Sequence, residues 1–173
     1  KALDLYASLY GAASFAAATA EIRYAELMMV QGRYAEAETQ LQQALTAGRA
    51  QRNSRNALVI KAQRGLAMLR TEQGRLNEAE ALVNTVREAE TLARGERSQQ
   101  VVHTGYLLAQ IRALQGRFAE AEKLLKDTLI AQEQVPVLLL YGQQRKAAER
   151  LAYQQLLVRV LVAQGKQAEA QSL

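Results

Sequence analysis

The chain has 173 residues, 49% of them apolar and 23% charged, with no cysteine. That is enough apolar mass for one folded domain and too much for disorder, and it excludes disulfides, thiolate metal sites and a cysteine nucleophile. The excess of 22 basic over 17 acidic residues leaves a charge of +5, which mildly favours acidic partners and falls short of a dedicated polyanion binder.

Abundant Ala, Leu, Gln, Glu and Arg, with one proline and no tryptophan, favour helix, because unbranched side chains lose little rotamer freedom there. An all-α chain is expected. No apolar run approaches the roughly 20 residues of a membrane span, nothing at the start has the order of a signal peptide, and a cytoplasmic location is the default. The first residue is Lys1 rather than methionine, so a fragment or processed piece is expected.

One phrase punctuates the sequence: QGRYAEAE at Gln31–Glu38, QGRLNEAE at Gln73–Glu80, QGRFAEAE at Gln115–Glu122 and a worn QGKQAEAQ from Gln164. Gly32, Gly74 and Gly116 are 42 apart, and Gly165 follows 49 later. Such a period signals a solenoid, whose units cannot bury their apolar faces alone and stack on one another. A single array over residues 1–173 is therefore predicted. Residues 1–14 fit the end of a preceding unit's second helix; 15–56, 57–98 and 99–147 make full units; 148–173 make a truncated last one.

In the first full unit, Tyr24, Ala25 and Met28 precede the glycine at helical spacing, and Tyr34, Ala37, Leu41, Ala44 and Leu45 follow it. Each unit reads as a helical hairpin. The glycine ends the first helix in a left-handed conformation. Acids then open the second helix at Glu36, Glu78, Glu120 and Glu169, where they complement the helix dipole. Pairs such as Glu36 and Glu38 point about 200° apart on a helix and cannot share a substrate. Small residues twelve apart, Ala25 with Ala37, Ala67 with Ala79 and Ala109 with Ala121, with Val158 and Ala170 in the last unit, let the paired helices approach closely.

Between the first and second units, Arg49, Arg52, Arg55, Lys61 and Arg64 fall in sixteen residues without an acid, a solvated connection or a contact for an acidic partner. In the third unit, His103 is the only histidine and has no cysteine or fixed carboxylate beside it; it reads as a polar groove residue rather than a base. The seven extra residues before Gly165 are two helical turns and should lengthen a first helix, with Pro136 in its opening turn. The apolar run Val137–Gly142 is either buried or a docking patch. No metal cluster, phosphate loop or dinucleotide fingerprint appears, so no cofactor and no enzymatic activity are expected.

The spacing of the small residues and turn glycine resembles the tetratricopeptide repeat (TPR) family, and the 42-residue period with its EAE is most similar to kinesin light chain repeats. The resemblance implies a right-handed α-solenoid of antiparallel helix hairpins and a bacterial source. Related bacterial arrays accompany caspase-like proteases or form sensor segments of transcription regulators. Departures are informative: the tryptophan and terminating proline of the shorter repeat are absent. The asparagine pairs of kinesin light chains are replaced by Ile22-Arg23, Arg64-Gly65, Tyr106-Leu107 and Gln155-Leu156. The carboxylate clamp of chaperone-binding arrays fails at Ile22 and Glu26.

Family geometry places a concave groove on the first helices, with Ile22, Glu26 and Met29, then Lys61, Arg64 and Met68, then His103, Tyr106 and Gln110 as exposed candidates. Thr19, Val30, Thr71, Glu72, Ala113 and Leu114 flank them. The expected role is a scaffold holding a partner's peptide or helix, with Lys61 and Arg64 favouring an acidic one and the methionines either repacking around it or filling gaps between helices. The alternative is a regulatory segment of a larger enzyme or transcription regulator. Nucleic acid is disfavoured, because a helical-repeat base reader needs the same polar pair in each unit. Self-association through the cut ends or Val137–Gly142 is a further expectation.

Overall fold

The computed structural model describes residues 9, 14–50, 57–136 and 140–173. Eight helices are found among them: α1 (Phe15–Val30), α2 (Tyr34–Ala50), α3 (Ala57–Glu72), α4 (Leu76–Arg94), α5 (Gln99–Leu114), α6 (Phe118–Glu133), α7 (Leu140–Ala163) and α8 (Gln167–Gln171). No strand occurs among the described residues. The chain divides into two compact units, residues 1–89 and 90–173, the division falling within α4.

The turns explain the recurring phrase. Gly32 adopts φ 73°, its N–H donates to the Met29 carbonyl and the Arg33 N–H donates to the Met28 carbonyl. This pair of hydrogen bonds is a Schellman motif, which satisfies carbonyls that the last helical turn leaves open. The same pair of bonds recurs at Gly74, Gly116 and Gly165. Arg33, Arg75 and Arg117 then each grip the first glutamate of the phrase, Glu36, Glu78 and Glu120, through two side-chain nitrogens. The residue after the glycine thus anchors the opening turn of the next helix.

In the first unit, α1 and α2 form an antiparallel hairpin and α3 packs against both. Ala25 and Ala37 are fully buried at the close approach, and Leu41, Ala44, Leu45, Leu58, Ala62 and Leu69 complete the core. A Cβ on Gly65 would run into Leu41, so the missing side chain lets α2 seat on α3. In the second unit, α5 and α6 pair likewise, α7 packs on α6, and α8 returns along α7. Its core joins Ala109, Ala121 and Leu125 to Leu156, Leu157, Val160 and Leu161.

The seven-residue insertion does lengthen a first helix: α7 has 24 residues where α1, α3 and α5 have 16. Pro136 itself lies outside a helix, and α7 is described from Leu140. Among the described residues, that helix already runs eight residues ahead of position 148. Of the apolar run, Val137 to Leu139 lie outside the described residues.

Candidate interaction face

The nine candidates fall on first helices, as their register requires, but none is fully exposed and two are buried. Ile22 and Met29 are buried members of the α1–α2–α3 core. Both expectations are corrected, and the cause is packing: α1 and α3 lie side by side, and apolar side chains at those positions are drawn into the junction between them. Met68 is half-buried and packs against the same core, so the methionines fill gaps between helices. Thr71 is also buried, its hydroxyl donating to the Ala67 carbonyl.

The remaining candidates are half-buried on their helices. On α1, the Glu26 carboxylate accepts a hydrogen bond from Arg23 at 2.8 Å. On α3, the Lys61 ammonium sits 5.2 Å from the centre of the Phe15 ring, a cation–π distance, with Arg64 one turn along. Phe15, which was not singled out from sequence, joins this patch. In the second unit, His103, Tyr106 and Gln110 lie along one side of α5. Tyr106 stacks on Tyr153 of α7, ring centroids 4.5 Å apart and planes 27° apart. Burial raises the Tyr153 hydroxyl pKa well above its ordinary value. Tyr153 occupies the register of Ala62 and Thr104, and all three are buried. Register alone thus marks a core position without revealing its stacking partner.

Above the turns runs a set of ion pairs that ties hairpins together. Glu38 of α2 is held by both terminal nitrogens of Arg70 on α3, which holds its carboxyl below the usual range. Glu122 of α6 accepts from Lys126 at 2.6 Å, from Lys166 at 2.7 Å and from Gln164 at 2.9 Å. Those three donors lower its pKa to about 2. Glu36 and Glu38 therefore serve different partners, one local and one across hairpins.

An open groove of about 810 Å³ lies elsewhere, lined by Glu21 and by outward residues of α2 including Thr39, Gln42, Gln43 and Thr46. None of the nine candidates lines it. Burial raises the Glu21 carboxyl pKa there. No group of three His, Asp or Glu side chains placed to hold a metal occurs among the described residues. No helix among them is long and apolar enough to cross a membrane.

The family model for the tetratricopeptide repeat matches residues 16–90 and 58–134, which together cover well over half of the chain. The chain belongs to the tetratricopeptide repeat family. Among solved structures, BtubC (BKLC) from P. vanneervenii superposes with a TM-score of 0.77 at 17% identity, covering 91% of this chain and 60% of that one. The present chain therefore spans less than two thirds of BtubC. Two structures of a putative kinesin light chain with nearly identical TPR-like repeats from Podosopora anserina, one of them a point variant, give TM-scores of 0.70 and 0.68 at 22% and 20% identity. Each covers 98% of this chain and 77% of its own. At these identities the likeness shows the fold, an α-solenoid of TPR hairpins. No curated protein matches the sequence. TPR repeats mediate protein–protein interaction in general, and their fold is a scaffold fold.

Proposed function

We propose that the chain is a non-enzymatic interaction module that holds a peptide or helix of a partner protein against its first helices. The observation that carries this reading is the recurrence, at one repeat register counted from the turn glycine, of half-buried polar and aromatic side chains: Lys61 and Arg64 on α3, and His103, Tyr106 and Gln110 on α5. Side chains set at fixed positions on rigid helices offer contact area at a low ordering cost, and aromatic and arginine side chains are the common anchors of interfaces. The Lys61 and Arg64 pair, with Phe15 under the ammonium, favours a partner segment that carries carboxylates beside apolar residues. Ile22 and Met29 serve this face from below by supporting the helices, and Glu26 sets its acidic edge.

Affinity capture tests the proposal, comparing the protein with its Lys61→Glu, Arg64→Glu double variant by mass spectrometry. A partner retained by the parent protein and lost from the double variant is expected, at an unchanged melting temperature. An identical set of captured proteins would sink the assignment of this face.

A further inference from the structure

Charge on the first-helix face of the first unit is ordered along the helix axes. α1 and α3 pack side by side and α2 packs against both. As alternate members of an antiparallel succession they run the same way, so equal distances from the turn glycine put residues at about the same height. Phe15, Lys61 and Arg64 stand 17, 13 and 10 residues before their glycines, whereas Glu26 stands 6 before Gly32 and Glu72 only 2 before Gly74. A ring and two cations therefore occupy the N-terminal half of the face, and two carboxylates the C-terminal half. On α3, Lys61, Arg64, Met68 and Glu72 succeed one another at spacings of three and four, one side of a single helix.

Glu72 does not serve the fold. It is exposed and closes the last turn of α3, where the negative pole of the helix dipole opposes a carboxylate. The equivalent positions of the other units hold Val30, Leu114 and Ala163, so the repeat does not call for an acid there. Glu26 is only lightly held. Its bond to Arg23 joins side chains 35% and 74% exposed, a pair that water and salt weaken and that a partner's cation can replace. The dipoles of α1 and α3 add to the separation of charge, positive at the Phe15 and Lys61 end and negative at the Glu26 and Glu72 end.

We infer that the occupant of this face, on the reading of it as the partner site, is a bipolar helix of a partner protein. One half carries carboxylates against Lys61 and Arg64, the other carries lysine or arginine against Glu26 and Glu72, and an apolar side chain rests on Met68 between them. Arg64 and Glu72 are eight residues apart, about 12 Å along the axis, so the opposite charges of the partner helix stand about two turns apart. A uniformly acidic segment meets repulsion at Glu72, which discriminates against it. A bipolar one satisfies both poles, and the charges fix its direction.

Two blocked helical peptides, titrated into the full chain and followed by NMR, test this. One has glutamates in its first two turns, a central leucine and lysines in its last two; the other has glutamates in both halves. The bipolar peptide is expected to bind at least about tenfold more tightly, a difference of about 1.4 kcal/mol, with shifts in α1 and α3. Glu72→Lys should remove that preference while keeping or raising the melting temperature, because it places a base at a helix C-terminus. A merely structural Glu72 would leave the preference intact. Tighter binding of the all-glutamate peptide, lost in the Lys61→Glu, Arg64→Glu double variant and indifferent to Glu72→Lys, overturns the bipolar occupant and leaves the partner face standing. No binding of either peptide at millimolar concentration also overturns the bipolar occupant, and binding indifferent to the variants at both ends overturns the face as well.

Discussion

The two units close their hairpin junctions with the same glutamate and different cations. In the first, Glu38 is held by Arg70, four residues before the turn glycine. In the second, its counterpart Glu122 is held by Lys166 just after the glycine, by Gln164 just before it and by Lys126 of its own helix. The backbone of the turn is the same in both, down to the paired Schellman bonds. What repeats is the demand for a donor at the second glutamate; which residue supplies it is free to vary. The Glu38 side chain is 40% exposed and that of Glu122 only 10%, so the second junction is the more dependent on its ion pairs.

Breaking the apolar seat common to both units should have the largest effect. Leu41 and Leu125 hold the same repeat position and are both fully buried, so Leu41→Ala and Leu125→Ala should each cost about 3 kcal/mol in urea unfolding. A large cost in one unit only would show that the cores are not equivalent. Next come the junction carboxylates. Glu122→Gln should cost about 2 kcal/mol, because it weakens bonds from three donors at a nearly buried site, whereas Glu38→Gln should cost under about 1 kcal/mol. Equal losses would contradict the ranking by burial.

The acid limb sharpens the same contrast. The Glu122 pKa is lowered from 4.5 to about 2 in the folded chain, so its stabilisation is fully present above the unfolded value and is lost as pH falls through that window. Stability measured from pH 5 down to pH 2 should fall less steeply in Glu122→Gln than in the parent chain; parallel curves would remove Glu122 as the cause. The smallest difference between units is expected at the turns. With φ 73° at Gly32 and 75° at Gly116, Gly32→Ala and Gly116→Ala should each cost about 1 kcal/mol and shift the melting temperature alike.

Much of this architecture is legible in the sequence because it is local. The phrase fixes the turn glycine, the opening acid and the close alanine pair within a few residues of one another, and Gly32, Glu36, Ala25 and Ala37 all take those roles. The face was legible only in part. Register places Ile22 and Met29 on the same stripe as Lys61 and Tyr106, but it does not show how far neighbouring first helices close over that stripe, and apolar side chains there become core. The junction pairs were hidden for a related reason. Sequence assigns a helix-opening role to Glu36 and Glu120 but no partner to Glu38 and Glu122, because Arg70 and Lys166 lie 32 and 44 residues away, where only the stacking of hairpins brings them near. Tyr153 under Tyr106 likewise joins two first helices.

The most direct test of the interaction module is hydrogen exchange on the chain with and without a captured partner segment. Slowed exchange concentrated on α3 and α5, and weakened by Lys61→Glu with Arg64→Glu, is the predicted result. Protection confined to the outward side of α2 and to α6, with the first helices unchanged, would contradict it.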